Sequence, residues 1–378
     1  MILNRLRIAN LRNHQGTSIE CPEGTLLLLG ENGAGKTTVL EAISLLSTSR
    51  SFVTHQDRSL LRKEAAQYRV DGNFTSTSSS KRCVAITYDT EMGRKQIEMD
   101  NALLPTAADL IGLVPTVALS PQHRPITAGG PGERRAFMDF IISQLHHTYL
   151  LDLLAYRRAL RQRNALLSDH DRRPSDIRAT LEAWDASLAE VSLRILRARE
   201  RFVIEFLPYF RESMRDLTPS NEVIALRYLS SAGVDPSAAD AVDAYRQVLV
   251  ERLEADLRRG STTIGPHRDE LEILLNGFDV RAHASQGQHK TILIALKFAE
   301  YRYVDAHLDE VPILLLDDVF SELDDDRLAN VLHLVGKLGQ TFITSANQAI
   351  FHAFPRNNGQ NMTLRIDSGV VHTLAEVA

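Results

Sequence analysis

The sequence has few of the residues that mark export, metal scaffolds or membrane insertion. It contains only two cysteines, Cys21 and Cys83, whose spacing matches no metal-ligand pattern, so we expect reduced thiols in the cytoplasm. No apolar run approaches the ~18 residues that cross a bilayer. The first residues also lack the apolar core of a signal peptide. The sequence therefore predicts a cytoplasmic protein without a membrane partner.

An excess of positive charge is also missing. The formal net charge of the 378 residues is −5, so the overall field repels a polyanion and any DNA-binding surface must be a local patch. Lysine is scarce: the 43 basic residues include seven lysines, and none lies between Lys95 and Lys290. Arginine suits bidentate phosphate contacts, although a bias in genomic base composition explains the ratio more simply.

The strongest motif is a phosphate loop near the N-terminus. It follows the apolar run 26–29 and opens an apolar-periodic stretch, which is the strand–loop–helix context that the pattern G-x-x-x-x-G-K-T requires. Backbone N–H groups and the helix N-terminus are expected to hold the phosphates of ATP or GTP. Lys36 reaches the β- and γ-phosphates, and the Thr37 hydroxyl ligates Mg²⁺. The predicted nucleotide contacts are Gly30, Glu31, Asn32, Gly33, Ala34, Gly35, Lys36, Thr37 and Thr38.

An acidic strand end follows much later in the chain. Residues 312–318 have the pattern of a buried strand that ends in Asp317 and Asp318. A parallel strand would bring this end beside the phosphate loop. Asp317 is then predicted to hold Mg²⁺, and Asp318 to orient the attacking water. The simpler alternative is a pair of acids that cap the next element.

A third segment indicates nucleotide binding only in combination with the phosphate loop and the acidic strand end. Ser285, Gly287 and Gln288 precede a predicted helix over 289–306, and small residues at a helix start present unpaired backbone N–H groups. Such groups can bind a phosphate. Taken alone, the segment is an ordinary helix cap.

The order of elements predicts an α/β protein whose two halves are separated by a helical insertion. We expect residues 1–125 and 261–378 to form the two halves of a P-loop sheet domain with an antiparallel β-subdomain. Residues 126–260 show helical periodicity. Within them we predict a short antiparallel helix pair, with arms of roughly 30 Å. The predicted helices are 133–147, 149–168, 176–214 and 239–259.

In this order the motifs resemble the ATPase head of SMC-like ABC proteins and, more narrowly, the RecF family. The matching segments are 9–14, 30–37, 120–121, 132–135, 263–269, 285–288, 315–318 and 321–324. Residues 265–269 (Gly-Pro-His-Arg-Asp) are the most specific, because generic cassettes lack them. This block is expected either to couple the ATPase head to the insertion, or to form a surface pair of Arg268 and Asp269 beside a proline turn.

The resemblance implies ATP and Mg²⁺ as cofactors. It also implies an ATP-dependent homodimer in which Ser285, with Gly287 and Gln288, closes over the γ-phosphate bound by a second copy. Lys36, Asp318 and Ser285 are then the catalytic residues. Asp318 stands where other cassettes carry a glutamate, and its shorter side chain predicts slow hydrolysis.

Three further residues receive roles from the same resemblance. Gln122 follows the Ser120-Pro121 match and is expected to join Thr37 and Asp317 at the metal. Arg12 and Asn13 are expected near the nucleotide, although they are equally compatible with residues that only end a strand.

The family's role implies a weak DNA-dependent ATPase of replication and recombinational repair. Such a protein binds gapped DNA at single-strand/double-strand junctions and works with RecR and RecO to load RecA. The DNA contacts predicted here are Arg157, Arg158, Arg161, Arg172 and Arg173. Other arginines of the insertion are candidates too, namely Arg163, Arg194, Arg197, Arg199 and Arg201. Acidic residues are interspersed among them, so a solvated helical face is the alternative.

Two other functions remain open at this point. One is the nucleotide-binding subunit of an ABC transporter, and the other is an SMC-like structural clamp that binds ATP without hydrolysing it. Spacing argues against the transporter, because 249 residues separate Lys36 from Ser285, whereas transporter cassettes place these motifs much closer together.

Overall fold

The computed structural model describes residues 1–54, 56–169, 174–218, 222–322, 325–347 and 360–373. The chain divides into two compact units. Unit 1 comprises Met1–Arg124, Glu212–Ser220 and Thr291–Ala378, and unit 2 comprises Pro125–Arg211 and Asn221–Lys290. Within the described residues, none of the helices combines the length and apolar character needed to cross a membrane.

The strands are numbered in chain order. They are β1 (Ile2–Leu11), β2 (His14–Glu20), β3 (Thr25–Leu29), β4 (Gln67–Thr75), β5 (Lys81–Asp89), β6 (Arg94–Met99), β7 (Ala102–Leu103), β8 (Thr116–Leu119), β9 (Ile224–Leu229), β10 (Glu270–Leu275), β11 (Phe278–Asp279), β12 (Ile313–Asp317), β13 (Thr341–Ser345), β14 (Met362–Asp367) and β15 (Val370–Thr373). Of these, β2, β7, β8, β9, β14 and β15 were not predicted from the sequence.

The α-helices are numbered in the same way. They are α1 (Lys36–Thr48), α2 (Pro125–Ala128), α3 (Pro131–Leu145), α4 (His147–Leu167), α5 (Pro174–Leu217), α6 (Ala241–Arg259), α7 (Val280–His283), α8 (Gln286–His307) and α9 (Asp325–Val335). Short 3₁₀ turns lie at Asp57–Leu60, Ala107–Leu110, Pro121–His123 and Val319–Glu322.

Unit 1 contains two six-stranded sheets. One is antiparallel, with the order β2-β1-β4-β5-β6-β7, and the other has the order β15-β14-β3-β13-β12-β8. In the second sheet β14, β3, β13, β12 and β8 run parallel. Almost every residue of α1 is buried, and its apolar side chains share one core with both sheets. The predicted combination of a P-loop sheet and an antiparallel β-subdomain is confirmed.

The parallel sheet explains why its central strands read as continuous apolar runs. Every residue of β3, β12 and β13 is buried, because both faces of such a sheet are covered. The carboxyl ends of parallel strands meet at one edge. The phosphate loop after β3, the acids at the end of β12 and the end of β13 therefore lie side by side.

Unit 2 combines helices with a three-stranded antiparallel sheet of order β11-β10-β9. Strand β10 pairs with β9 along its whole length, from Glu270 opposite Leu229 to Leu275 opposite Ile224. This pairing places residues 261–290 in unit 2, whereas the division made from the sequence assigned them to the segment 261–378. The difference arises because β9 lies inside a stretch that helical periodicity dominates.

Helices α4 and α5 pack against each other in opposite directions. Arg163 on α4 contacts Asp185 on α5, and Arg194 on α5 contacts Asp152 on α4. Helix α4 has 21 residues and is about 31 Å long, but α5 is one helix of 44 residues that continues through Pro208 and is about 66 Å long. The expected arm length of roughly 30 Å is therefore wrong for α5.

The Gly-Pro-His-Arg-Asp block forms a buried polar network in unit 2. Gly265 has a φ of +118°, and a side chain there would come within 2.7 Å of the Tyr156 hydroxyl. Asp269 is fully buried and accepts hydrogen bonds from Tyr228 and Ser231. Only Arg268 of the block is exposed. The interpretation of Arg268 and Asp269 as a surface pair is therefore wrong.

Candidate functional site

The phosphate loop is a tight turn between β3 and α1. Gly35, the residue before α1, has a φ of +111°, a left-handed conformation that glycine adopts without steric cost. A Cβ atom at Gly35 would lie 2.7 Å from atoms of both Asn13 and His14. This close approach requires glycine for a second reason. The loop packs directly against the turn between β1 and β2.

Lys36 begins α1 and is folded back over the loop. Its ammonium group donates hydrogen bonds to the carbonyl oxygens of Gly30 and Glu31, both at 2.8 Å. Burial lowers the pKa of Lys36, and the charges of Asp318 and Asp317 oppose that shift. The ammonium group is thus held by two neutral carbonyl groups next to two acids, an arrangement that an incoming phosphate can replace.

The β1–β2 turn supports the loop from one side. The Asn13 amide donates to the carbonyl oxygen of Ala34 at 2.9 Å, and His14 Nε2 lies 3.1 Å from the carbonyl oxygen of Gly35. Burial lowers the pKa of His14, which favours the neutral ring. The Arg12 guanidinium pairs with buried Glu41 on α1 at 2.6 Å. The structure thus attaches Asn13 to the loop and Arg12 to the helix.

The turn between β14 and β15 supports the loop at the same carbonyl group that Asn13 binds. The Gly369 N–H donates to the carbonyl oxygen of Ala34 at 2.8 Å, and the Thr17 hydroxyl donates to the carbonyl oxygen of Gly369 at 3.3 Å. A cleft of about 570 Å³ lies here, bordered by Asn13, Arg62 and Gly369 among others. No sequence motif pointed to this turn.

The acidic strand end meets the phosphate loop through hydroxyl groups. Thr37 Oγ1 donates to Asp317 Oδ1 at 2.7 Å, and Thr344 Oγ1 donates to the same oxygen at 2.8 Å. Burial raises the pKa of Asp317, while the two hydroxyl donors lower it and the charge of Asp318 raises it further. The sequence motifs predict that Thr37 and Asp317 share a metal ion, but they include no role for Thr344.

The donor set fits Mg²⁺. No cluster of three or more His, Cys, Asp or Glu side chains suited to a metal occurs in the part of the chain that the structure describes. Mg²⁺ is commonly bound by one or two carboxylates together with substrate phosphates and water, rather than by an all-protein cage. Both hydroxyls bind Asp317 Oδ1, and among the described residues none donates a hydrogen bond to Oδ2. Thr37 and Asp317 therefore offer the ligands that Mg²⁺ uses beside a triphosphate.

Asp318 and Gln122 lie at the same edge of the sheet. Asp318 has a φ of +48°, and its N–H donates to Thr344 Oγ1 at 3.0 Å. Gln122 is exposed in the short turn after β8, which pairs with β12. Within the described residues, Gln122 forms no hydrogen bond with Asp317, so the metal role of Gln122 remains a prediction.

Ser285, Gly287 and Gln288 lie in unit 2 at the start of α8. The Gln288 N–H donates to Ser285 Oγ at 3.2 Å, and the Gln288 side-chain oxygen accepts from the Ser285 N–H at 2.9 Å. This reciprocal capping box fixes the first turn of the helix. Ser285 and Gly287 are exposed, so the helix start is accessible to a ligand.

The structure separates the candidate DNA-binding arginines into two groups. Arg157, Arg158 and Arg161 are exposed on α4 and form no ion pair or hydrogen bond with the described residues. Arg163 and Arg199 are buried and hold carboxylates inside unit 2, so an interpretation of these two as DNA contacts is wrong. Arg172 and Arg173 lie outside the described residues.

Comparison with known proteins identifies close relatives over nearly the whole chain. Residues 2–366 match the family model described as the RecF/RecN/SMC N-terminal domain. The "DNA replication and repair protein RecF" of Chlorobium phaeovibrioides is 37% identical over 92% of this chain and 94% of its own length. The protein of the same name from Acetivibrio thermocellus is 33% identical over 98% of this chain and 99% of its own length.

Solved structures also match this chain over nearly its whole length. A structure of "the recombination mediator protein RecF-ATP in RecFOR pathway" superposes with a TM-score of 0.89 and 32% identity, covering 99% of this chain and 98% of the other. An SMC head bound to a winged-helix domain of ScpA superposes with a TM-score of 0.57 and 14% identity, covering 100% of this chain and 98% of that one. The second likeness concerns the fold alone.

Proposed function

Since this chain belongs to the RecF family of DNA replication and repair proteins, we propose that it is a DNA-binding ATPase that dimerises when ATP binds. One observation carries the proposal: the Thr37 hydroxyl donates a hydrogen bond to the Asp317 carboxylate and so connects the phosphate loop to the acidic strand end. The similar RecF structure with ATP supports ATP as the nucleotide.

At one site, the triphosphate accepts hydrogen bonds from the loop N–H groups and from the N-terminus of α1. Lys36 exchanges the carbonyl groups of Gly30 and Glu31 for the β- and γ-phosphates. Thr37 and Asp317 would hold Mg²⁺, which supplies charge neutralisation at the phosphates. Asp318 orients the attacking water, and its short side chain keeps hydrolysis slow.

The second half of each site comes from another copy of the chain. The exposed helix start at Ser285 presents a hydroxyl group and the positive end of the α8 dipole, which suit a phosphate oxygen. When this segment closes over the γ-phosphate bound by the partner, two nucleotides lie between two subunits related by a two-fold axis. ATP binding then contributes free energy to association, and hydrolysis removes it.

DNA and mediator proteins are the proposed partners. Arg157, Arg158 and Arg161 suit contacts to phosphates, which position DNA without reading its sequence. Gapped or junction DNA is the proposed target, with RecR and RecO as mediators of RecA loading. The RecFOR pathway named for the similar structure supports these partners.

Two other functions are less well supported. Relatives that are named DNA replication and repair proteins favour a DNA-bound ATPase over a transporter subunit. A clamp that binds ATP without hydrolysing it differs from the proposal only in the role of Asp318. In such a clamp the side chain of Asp318, which is shorter than that of glutamate, would not orient an attacking water. Phosphate release distinguishes these two.

The test is phosphate release by the wild type and by Asp318→Asn, each with and without gapped DNA. We expect slow release that DNA stimulates in the wild type. The variant should lose about 10²- to 10⁴-fold in rate while still dimerising with ATP. ATP binding without phosphate release in the wild type would establish the clamp instead. Release that DNA leaves unchanged would refute the DNA-dependent activity.

A further inference from the structure

We propose that Thr344 is a positioning residue that fixes the metal-binding Asp317 and the water-orienting Asp318 together. The inference rests on the proposed function, because it concerns the acidic end of the same site. Thr344 belongs to none of the motifs found in the sequence. Its side chain is fully buried, so it acts through the two acids.

The sheet register brings Thr344 to this position. Strand β13 lies between β3, which leads into the phosphate loop, and β12, which ends in Asp317. Thr344 is opposite Asp317 on one side and Leu28 on the other. One residue of β13 is therefore adjacent to both parts of the nucleotide site.

The hydroxyl of Thr344 uses its donor and its acceptor on consecutive residues. Oγ1 donates to Asp317 Oδ1 at 2.8 Å and accepts from the Asp318 N–H at 3.0 Å. Asp318 has a φ of +48°, a left-handed conformation that is uncommon for residues other than glycine. The hydrogen bond to Thr344 holds the backbone at this turn.

Thr344 also complements Thr37 at the carboxylate. Both hydroxyls donate to Asp317 Oδ1, but Thr37 has a second task as a ligand of Mg²⁺ in the proposed function. Thr344 is buried in the strand, so it keeps Oδ1 oriented whichever way the Thr37 hydroxyl turns. Supporting groups of this kind commonly change metal affinity or activity 10- to 100-fold when they are removed.

The experiment compares Thr344→Ser with Thr344→Ala. Both variants lose the same methyl group, and they differ only by the hydroxyl, so any loss of packing is common to both. Thr341→Val is the matched control, because Thr341 is an equally buried threonine of β13 whose hydroxyl bonds to the Gly339 carbonyl group. The measurements are the rate of ATP hydrolysis as a function of Mg²⁺ concentration and the binding of a fluorescent ATP analogue without Mg²⁺.

We expect Thr344→Ala to lose about 10- to 100-fold in the maximal rate and to need more Mg²⁺ for half-saturation, with Mg²⁺-free binding of the analogue unchanged. Thr344→Ser and Thr341→Val should resemble the wild type. Equal rates and Mg²⁺ requirements for the serine and alanine variants would overturn the proposal. A wild type that does not bind the analogue would instead refute the proposed function.

Discussion

Replacing Gly369 by alanine perturbs the candidate nucleotide site from a turn that no sequence motif includes. Gly369 has a φ of +82°, and a Cβ atom there would lie 2.4 Å from the carbonyl oxygen of Asn13. That oxygen belongs to the backbone of the β1–β2 turn, so the clash cannot be relieved by a side-chain rotation. The two turns that support the phosphate loop must move apart.

The expected cost has two parts. A left-handed conformation costs a non-glycine residue about 1–2 kcal/mol. Moving the turn also weakens the hydrogen bonds of Gly369 with Ala34 and Thr17, at about 0.5–1.5 kcal/mol each. Together these give a loss of about 2–5 kcal/mol in the free energy of unfolding. If ATP binding must offset about 1.4 kcal/mol of this lost stability in order to reorder the loop, the dissociation constant of ATP rises about tenfold.

Gly93→Ala is the matched control. Gly93 also has a positive φ, +60°, but nothing lies within 4 Å of a Cβ atom there, so only the conformational cost of about 1–2 kcal/mol applies. Urea unfolding and titration with a fluorescent ATP analogue measure both quantities. The reasoning is refuted if the two variants lose equal stability and both bind the analogue as tightly as the wild type.

Three further predictions concern charge. The double variant Arg158→Glu and Arg161→Glu should weaken DNA binding and reduce the slope of log affinity against log salt concentration by about 2, with ATP binding unchanged. Arg94→Glu, at another exposed arginine, is the control. An unchanged slope in the double variant would contradict the placement of DNA on α4. Because burial raises the pKa of Asp317, acidification should protonate it before an exposed aspartate and raise the Mg²⁺ concentration needed for hydrolysis. The raised pKa also means that ionised Asp317 reduces the stability of the fold above its folded-state pKa. A Mg²⁺ requirement that does not change with pH would contradict the predicted effect of acidification. Arg199→Met leaves buried Asp269 and partly buried Asp139 without their cation and should cost about 3–5 kcal/mol in urea unfolding; wild-type stability would exclude a structural role for Arg199.

The parts of the site that could be predicted are those with a local signal. The glycines and Lys36 of the phosphate loop lie within eight consecutive residues between an apolar run and an amphipathic stretch. The run that ends in Asp317 is equally compact. In both cases the local backbone geometry follows from residues that are neighbours in the sequence, so a short stretch of sequence is enough to predict it.

Other parts depend on contacts between distant residues. Thr17 and Gly369 are 352 positions apart, and Thr344 acquires a role only because β13 lies between β3 and β12. A short strand such as β14 has no motif of its own. Strand order and register are set by packing of the whole sheet, which the sequence of one strand does not specify.

The helical periodicity of α4 distinguishes the buried arginines of the insertion from the exposed ones. Tyr149, Tyr156 and Arg163 on α4 are each seven residues apart, and all three are buried. Helical spacing therefore places Arg163 on the packed face of α4, while Arg157, Arg158 and Arg161 fall on the exposed face. A count of charges cannot distinguish the two groups, but the periodicity of the helix can.

Sedimentation velocity with and without ATP is the most direct test of a nucleotide site shared between two copies of the chain. The wild type should change from monomer to dimer when ATP is added. Lys36→Met and Ser285→Arg, which disable opposite sides of the shared site, should both remain monomeric at the same nucleotide concentration. Normal ATP-induced dimers of either variant would contradict the account.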